Sequence, residues 1–246
     1  MGYHESLTEG RNAVLEAFRS GKTVDRLFVL DGCQDGPVKT ILREAKKQDT
    51  MVQYVKKERL DQLSETKNHQ GVIAYCAACE YAEVSDILEN AKKKGEAPFI
   101  VLLDGIEDPH NLGAIIRTAN QAGAHGVIIP KRRAVGLTAT VARTSAGAVN
   151  YTPVAKVTNL VTVMEDLKKE GMWFVCADMD GEEMYSLNLK GPIGLVIGNE
   201  GEGVSRLVKE HCDMVASIPM KGDIDSLNFF FFKQKTAYEI VRQRRF

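Results

Sequence analysis

The sequence has no apolar segment long enough to cross a bilayer, and it begins without the basic and apolar segments of a secretory signal. Its apolar runs are short, such as residues 127–130, 194–198 and 229–232. A membrane-spanning helix needs about 20 apolar residues. We therefore expect a cytoplasmic protein without a secretory leader.

The chain also has little net charge of either sign. It carries 32 Lys and Arg against 33 Asp and Glu, a formal net charge of -1 over 246 residues. This balance excludes an overall basic field typical of nucleic-acid-binding domains, although a local basic patch is compatible with it. An apolar content of 44% and a charged content of 26% predict one large globular domain or two small ones and exclude a disordered chain.

Cysteine is too sparse for a disulfide scaffold. An odd number of five cysteines and the lack of an export signal predict reduced thiols. Cys76 and Cys79 form a single C-x-x-C, but zinc would need two further ligands, and no second Cys/His pair stands at a suitable spacing. We expect structural thiols here and no metal site.

Residues 1–77 alternate between helical and extended patterns and predict a small α/β domain. Helices are predicted over 7–21, 38–47 and 58–64, and strands over 25–30, 51–55 and 71–75. Residues 78–96 are polar and end in Lys92–Lys94 and a glycine. They predict a helical linker whose lysines form a solvated helix end favoured by the helix dipole.

Residues 97–228 alternate regularly between apolar strands and helices. Strands are predicted over 99–103, 126–129, 151–157, 173–178, 193–198 and 213–218, and helices over 111–122, 139–146, 159–170 and 204–211. Short apolar strands between helices indicate a mostly parallel sheet covered on both faces. The predicted fold class is therefore α/β.

Polar stretches follow three of these strands, where ligands bind in open α/β sheets. The first, residues 104–117, enters a helix that Asn111 can cap and whose only charge is Arg117. This guanidinium either reaches solvent or an acidic partner, or it faces the strand ends to bind phosphate or polarise an oxygen. The helical pattern alone favours neither interpretation.

The second and third stretches add glycines and short polar side chains. Residues 195–203 run from a strand into glycines, which let backbone N–H groups approach a ligand, but they contain neither G-x-G-x-x-G nor a Walker lysine. Glu200 either caps the next helix or binds a ligand hydroxyl or amine. Residues 218–228 deliver Ser226 and Asn228, and a helix start at Ser226 is the alternative. The three stretches predict a pocket but no particular reaction.

In this order the stretches resemble the motifs of the SpoU/TrmH class of RNA 2′-O-ribose methyltransferases. The matches are N-x-G-x-x-x-R at Asn111, Gly113 and Arg117, G-N-E-G-x-G at 198–203, and I-P-M-x-G-x-x-x-S-L-N at 218–228. E-G-R-N-A-V-L-E-A-F at 9–18 and H-Q-G-V-I-A at 69–74 resemble the RNA-binding substrate domain of this class. That domain looks like the one in the bacterial branch that methylates a guanosine in 23S rRNA.

The resemblance implies a SPOUT-type domain with a deep trefoil knot, S-adenosylmethionine as the cofactor, and a homodimer with a shared active site. It implies that Gly198, Ile218 and Leu227 contact the methyl donor, mainly through backbone groups. The catalytic residues that it implies are Asn111, Arg117, Glu200, Ser226 and Asn228.

The implied reaction displaces a sulfonium-bound methyl group by a ribose 2′-oxygen, which requires the oxygen, carbon and sulfur atoms to be aligned. The family usually assigns the base to the position of Arg117, but a guanidinium stays protonated in proteins. We expect Arg117 instead to bind the adjacent phosphate or to stabilise negative charge on the oxygen. RNA contacts are expected from residues 1–77 and from a basic group that comprises Lys131, Arg132, Arg133 and Arg143. For Lys131–Arg133 the alternative is a solvated turn.

Residues 229–246 depart from the resemblance. After Asn228 the family has a helix of small and aliphatic residues that closes the knot near the donor and the dimer partner, whereas this chain has four consecutive phenylalanines. Overpacking costs about 1–3 kcal/mol, so we expect weakened dimerisation and donor binding. The tail is interpreted as a foreign or frame-shifted end, with a divergent helix as the alternative. A catalytically impaired RNA-binding protein of the same fold is the alternative function.

Overall fold

The computed structural model describes residues 6–217 and Gln243. Within these residues the chain divides into two compact units, and each unit contains its own sheet. The first comprises residues 6–80 with 136–140, and the second comprises residues 81–135 with 141–217 and Gln243.

The first unit is a four-stranded mixed sheet with the strand order β1-β4-β2-β3. β2 is parallel to β3, and β4 is antiparallel to β1 and β2. The buried faces of α1 and α2 pack on one side of the sheet, and Leu60 of α3 packs against Phe28 and Ile73 on the other. The elements are β1 (Ser6–Glu9), α1 (Arg11–Arg19), β2 (Val24–Leu30), α2 (Gly36–Lys47), β3 (Met51–Val55), α3 (Lys57–Leu63) and β4 (Val72–Cys76).

The helix predicted over residues 7–21 is wrong in its first residues. Ser6–Glu9 is a strand that pairs antiparallel with β4, and α1 begins only at Arg11. Gly10 between them has a φ of 87°, a left-handed conformation that interrupts a helix and that glycine adopts without steric cost. Predicted helical and extended segments elsewhere in this unit are confirmed with shifts of one or two residues at their ends.

The two N-terminal segments that carry the family resemblance meet in the structure. The backbone N–H of Gly10 donates to the Val72 carbonyl at 3.2 Å. Arg11 donates from its backbone N–H to Gln70 Oε1 at 3.2 Å and from Nε to the Gln70 carbonyl at 3.1 Å. These residues are therefore partners that hold the start of α1 against the loop before β4.

The second unit is a parallel six-stranded sheet with the strand order β10-β8-β9-β5-β6-β7. Every residue of the central strands β5 and β9 is buried, as expected for a parallel sheet covered on both faces. This sheet confirms the predicted α/β fold. The elements are α4 (Val84–Lys94), β5 (Phe99–Leu103), α5 (Pro109–Gln121), β6 (Gly126–Pro130), α6 (Ala139–Thr144), β7 (Val154–Val157), α7 (Leu160–Lys169), β8 (Trp173–Glu183), β9 (Ile193–Ile197), α8 (Arg206–Glu210) and β10 (Met214–Ser217).

The segment predicted as a helical linker is a helix, but it packs into the second unit. Ile87 and Ala91 of α4 are fully buried, and Ile87 belongs to the core cluster that contains Ile100 and Phe174. The helix begins with a capping box formed by Glu83 and Asp86 and ends at a left-handed glycine, signals that specify helix ends.

Other predicted boundaries also differ, and the strand predicted over 173–178 is longer, because β8 extends to Glu183. The strand predicted from residue 151 begins at Val154, because a 3₁₀ turn precedes it and Tyr151 is 80% exposed. α5 begins at Pro109 and is capped by Asp108, whose carboxylate accepts from the His110 N–H at 3.0 Å, so Asn111 is not the cap. Among the described residues, no helix has the length and apolar character needed to cross a membrane. The trefoil knot stays a prediction.

Candidate functional site

The candidate site begins at the carboxyl ends of β5 and β9, which are adjacent and parallel. The chain continues from β5 to β6 and β7 on one side, whereas β9, β8 and β10 lie on the other. Ligands of open α/β sheets bind where the strand order reverses in this way. The loops after β5 and β9 contain the first two predicted motifs.

The glycine turn after β9 folds tightly on itself. The Asn199 N–H donates to the Gly203 carbonyl at 2.9 Å, and the Gly203 N–H donates back at 3.0 Å. A Cβ on Gly198 would lie 2.0 Å from the Gly203 carbonyl carbon, which no side chain can tolerate. Gly198 therefore allows the turn to close. This steric role explains the glycine independently of its predicted contact with the methyl donor.

Asn199 and Asp104 join the loops that follow the two strands. Asn199 Nδ2 donates to the Gly105 carbonyl at 2.8 Å, and its Oδ1 accepts from the Gly201 N–H at 2.8 Å. Asp104 Oδ2 accepts from the Ser205 N–H at 2.8 Å. Neither residue has a predicted role from the sequence, although both lie within one or two residues of a strand end and Asn199 precedes Glu200.

Asn111 and Glu200 are brought together from the first and second motifs. Asn111 Nδ2 in the first turn of α5 donates to Glu200 Oε1 at 3.3 Å across 89 positions of sequence. The alternative in which Glu200 caps the next helix is wrong, because the N-cap of α8 is Ser205. The Glu200 carboxylate thus lies beside α5 at the mouth of the two loops.

Gly113 and Arg117 lie further along α5 and have different environments. A Cβ on Gly113 would lie 1.9 Å from Thr144 Oγ1, so this glycine allows α5 and the end of α6 to approach closely. Arg117 is exposed, and within residues 6–217 its side chain has no hydrogen bond or ion pair. The described residues therefore leave its guanidinium available to a ligand rather than paired with an acid.

The predicted basic group follows the neighbouring strand β6 at the same edge of the sheet. Arg132 and Arg133 are exposed, and Arg133 has a φ of 53°, an uncommon conformation outside glycine. The Val135 N–H donates to the Ile106 carbonyl at 2.9 Å, which ties this turn to the loop after β5. Arg143 is exposed and precedes Thr144, the residue in contact with Gly113.

The loops after β5 and β9 are uniformly acidic. Residues 104–108 and 198–203 contain five carboxylates and no basic side chain. This composition suits a ligand that carries positive charge near the strand ends and disfavours a phosphate there. Basic residues stand instead on α5 and after β6, so opposite charges occupy separate parts of this edge.

The third motif lies outside the described residues. It includes the predicted donor contacts Ile218 and Leu227 and the predicted catalytic residues Ser226 and Asn228. Their positions relative to Glu200 therefore remain predictions.

The cysteines are free thiols. Cys76 is buried on β4 with its sulfur 3.7 Å from Thr8 Oγ1. Partial burial raises the pKa of the Cys79 thiol. In the described part of the chain, no three His, Cys, Asp or Glu side chains are grouped to hold a metal ion.

Residues 98–230 match the SpoU rRNA Methylase family, and residues 7–82 match the family described as RNA 2′-O ribose methyltransferase substrate binding. The chain is 46% identical over 237 residues to YacO of Bacillus subtilis, which is named for the TrmH family of tRNA/rRNA methyltransferases; the match covers 96% of this chain and 94% of YacO. A Staphylococcus haemolyticus protein named for the same family is 44% identical, with coverage of 96% and 94%.

Solved structures give the same family. The SpoU methyltransferase AviRb from Streptomyces viridochromogenes, in complex with AdoMet, is 26% identical with a TM-score of 0.61 over 97% of this chain and 90% of AviRb. The TrmH/SpoU tRNA modifying enzyme of A. aeolicus is 26% identical with a TM-score of 0.54 over 65% of this chain and 84% of that enzyme. This chain belongs to the SpoU/TrmH family of RNA methyltransferases.

Proposed function

We propose that this protein transfers a methyl group from S-adenosylmethionine to a ribose 2′-hydroxyl of RNA. The observation that carries the proposal is the hydrogen bond between Asn111 and Glu200, which joins two motif residues at adjacent strand ends. The AdoMet complex of AviRb, a relative similar over nearly the whole chain, supports the identity of the donor.

The described residues fit such a donor. S-adenosylmethionine supplies an activated methyl group on a positively charged sulfonium, and every charged side chain in the loops at 104–108 and 198–203 is a carboxylate. Gly198 begins the turn after β9, where backbone groups can face an adenosyl moiety. We infer that Gly198, Ile218 and Leu227 hold the donor.

The side chains of this site divide the remaining tasks. Glu200, oriented by Asn111, accepts a hydrogen bond at the strand ends and can receive one from a ribose hydroxyl. The exposed Arg117 guanidinium binds the adjacent phosphate or the developing negative charge on the attacking oxygen. Ser226 and Asn228 complete the proposed catalytic set.

The finer proposal concerns the substrate. We propose a guanosine in 23S rRNA, bound through residues 1–77 and the basic residues Lys131–Arg133 and Arg143, with phosphate contacts holding the RNA and an unstacked base giving specificity. In this proposal residues 78–96 connect to a knotted methyltransferase domain over residues 97–228, the protein is a cytoplasmic homodimer, and residues 229–246 are an aberrant tail. The match of residues 7–82 to a substrate-binding family supports the RNA-binding role.

A methyl-transfer experiment tests this function. The full chain is incubated with isotopically labelled donor and, separately, with unmodified 23S rRNA and tRNA, and the RNA is digested for nucleoside analysis. We expect label in 2′-O-methylguanosine from 23S rRNA and none with a Glu200→Gln variant. Label in tRNA alone overturns the rRNA proposal. RNA binding without any transfer favours the alternative, a catalytically impaired RNA-binding protein, for which the phenylalanine-rich tail is the supporting sequence feature.

A further inference from the structure

Helix α2 of the first unit carries a row of exposed basic side chains. Its 12 residues contain four basic residues and one acidic residue. Lys39, Arg43 and Lys46 are all exposed, and their spacings of four and three residues place them on one helix face. We call these three residues the α2 stripe; it spans about 10 Å of helix.

The charge of the α2 stripe is poorly neutralised compared with that of the lysines at the end of α7. Lys168 and Lys169 of α7 are paired with Asp213 and Asp166, both at 2.7 Å. In the α2 stripe, Lys39 and Lys46 have no ion pair within the described residues. Arg43 Nε lies 3.6 Å from Glu44, a carboxylate that is closer to Lys47 at 3.0 Å.

The helix dipole does not explain the α2 stripe. Cations are stabilised at the C-terminal end of a helix and disfavoured near its N-terminus. Lys39 is the fourth residue of α2, and Arg43 is in the middle, so only Lys46 lies where the dipole favours it. Lys39 therefore stands where neither an acidic partner within the described residues nor the dipole accounts for its charge, and Arg43 shares its one carboxylate, Glu44, with Lys47.

An exposed aromatic ring lies on the same side of the sheet. Val52 of β3 packs against the core cluster that contains Val38 and Ile41 of α2. Side chains alternate along a strand, so Tyr54 shares the face of Val52. Tyr54 is 56% exposed, and β3 is the edge strand of its sheet. Basic residues and an exposed aromatic ring on the same side of a sheet are a combination that suits single-stranded nucleic acid.

We propose that the α2 stripe and Tyr54 form an RNA-binding surface, in which the stripe contacts consecutive phosphates and an unpaired base stacks on Tyr54. This inference rests on the proposed function and identifies which surface of the first unit holds the RNA. RNA is favoured over an acidic protein because three cations on one face match a phosphate backbone, while the exposed ring provides a stacking surface for a base.

The salt dependence of RNA binding tests the α2 stripe. A triple variant Lys39→Gln, Arg43→Gln and Lys46→Gln removes three charges and keeps good helix formers. The matched control is Lys92→Gln, Lys93→Gln and Lys94→Gln, which removes three exposed charges at the end of α4. Binding of a labelled 23S rRNA transcript to the full chain is measured by filter retention between about 50 and 200 mM salt, a range over which the loss of several phosphate contacts changes the affinity strongly.

We expect the slope of log K against log salt to fall by about 2–3 units for the stripe variant, with weaker binding at low salt and little change for the α4 control. Equal losses in both variants, or wild-type binding by the stripe variant, overturn the proposal. If the stripe variant loses polyglutamate binding but keeps RNA binding, the partner of this surface is an acidic protein instead. These readouts measure binding alone, so they stand even where methyl transfer fails.

Two substitutions test the stacking role of Tyr54. Tyr54→Phe keeps the ring and is expected to bind RNA like the wild type. Tyr54→Ala is expected to weaken binding about 5–100-fold, the range for losing one stacked base, with an unchanged salt slope because no charge is removed. Equal affinities of the Ala and Phe variants overturn this part of the proposal. Thermal melting, expected to be the same for all variants and the wild type, checks that the first unit is folded, because the proposed donor site lies in the second unit.

Discussion

Gly113 is the residue that allows α5 to pack closely against the end of α6. In an ordinary helix, replacing glycine by alanine gains about 1 kcal/mol in propensity. Here the added Cβ would lie 1.9 Å from Thr144 Oγ1 and 2.8 Å from Thr144 Cβ, so the packing loss outweighs that gain. The glycine of the first motif is therefore needed for packing rather than for chemistry.

We expect Gly113→Ala to destabilise the protein by about 1–3 kcal/mol, the usual cost of overpacking, and to lower the melting temperature by about 2–4 °C per kcal/mol. The control is Gly36→Ala, because Gly36 begins α2 and has no atom within 4 Å of its Cβ position. Calorimetric melting of both variants decides the point. A Gly113→Ala protein as stable as the wild type would contradict the close approach.

Asn199 positions the glycine turn without being predicted to touch substrate. Asn199→Asp keeps the acceptor for the Gly201 N–H but loses the donor to the Gly105 carbonyl. We expect the affinity for the methyl donor and kcat each to fall by about 2–13-fold, since one hydrogen bond contributes about 0.5–1.5 kcal/mol. Asn199→Ala, which loses both bonds, should lose more. The ordering is measured by donor calorimetry and methyl transfer, and equal effects of the two variants would argue against this geometry.

Arg117 is expected to act through its planar guanidinium. Arg117→Lys keeps the charge but not the two-pronged donor geometry, so we expect kcat to fall about 100-fold, comparable to losing one stabilising donor. The affinity for S-adenosylmethionine should stay unchanged, because Arg117 is proposed to contact the RNA and the attacking oxygen. Methyl-transfer kinetics with saturating donor give the result. Near-wild-type activity of the Lys variant would show that the planar guanidinium is not needed.

At the scale of elements, Glu9 at the end of β1 fixes the loop after α3. Its carboxylate accepts from the backbone N–H groups of Glu65 and Thr66 at 2.8 and 3.2 Å and from the hydroxyls of Ser64 and Thr66. Partial burial raises the pKa of the Glu9 carboxyl, but these hydrogen bonds outweigh it and hold the pKa below its ordinary value. The charged form therefore stabilises the folded first unit.

This shift predicts an acid-sensitive contribution to stability. Because the folded pKa is lowered, the contribution is fully present above the unfolded pKa of about 4.3 and is lost as pH falls through the folded value. We expect Glu9→Gln to melt below the wild type at pH 7 and the difference to shrink in strongly acidic buffer. Glu16→Gln, on the exposed face of α1, serves as the control. A difference independent of pH would show that the charge of Glu9 contributes nothing.

The elements that the sequence predicted well have a single dominant pattern. β5 and β9 are continuous apolar runs buried on both faces, whereas α2, predicted from residue 38 on its apolar pattern, begins at Gly36 after its aspartate cap. The missed strand β1 is four residues long, and its pairing partner is β4, more than 60 residues away. The local sequence pattern carries no information about that partner, so it extends the predicted helix into residues 7–9.

The residues of the site were also predictable only in part, because some of their partners are distant in sequence. Motif resemblance identified Asn111 and Glu200, and the structure brings them together. Asn199 was missed because its role depends on the carbonyl of Gly105, 94 positions earlier in the chain. A main-chain partner leaves no residue-type signal, so even an amide inside a recognised motif, such as Asn199, receives no predicted role when its partner is a carbonyl.

At the scale of the whole molecule, the last 18 residues are the part of the sequence most at odds with its family. They contain four consecutive phenylalanines, five basic residues and one acidic residue, where relatives of this class are expected to have a small-residue helix beside the donor and the dimer partner. Of residues 229–246 the structure describes only Gln243, whose Oε1 accepts from the Leu189 N–H at 3.0 Å, so the conflict over the phenylalanines rests on side-chain volume. Large rings in a crowded interface force neighbouring groups apart.

We therefore expect a chimaera, with residues 229–246 replaced by a helix of alanine, glycine and valine, to bind S-adenosylmethionine about 10–100-fold more tightly than this chain. That range corresponds to relief of about 1–3 kcal/mol of overpacking. Calorimetric donor titration measures the affinity, and sedimentation velocity should show a larger dimer fraction at equal concentration. A chimaera that bears the phenylalanine run inside the grafted helix controls for length and should bind like the original chain. Equal donor affinities of all three proteins would mean that the tail does not pack near the donor, and the impaired-enzyme alternative would lose its physical basis.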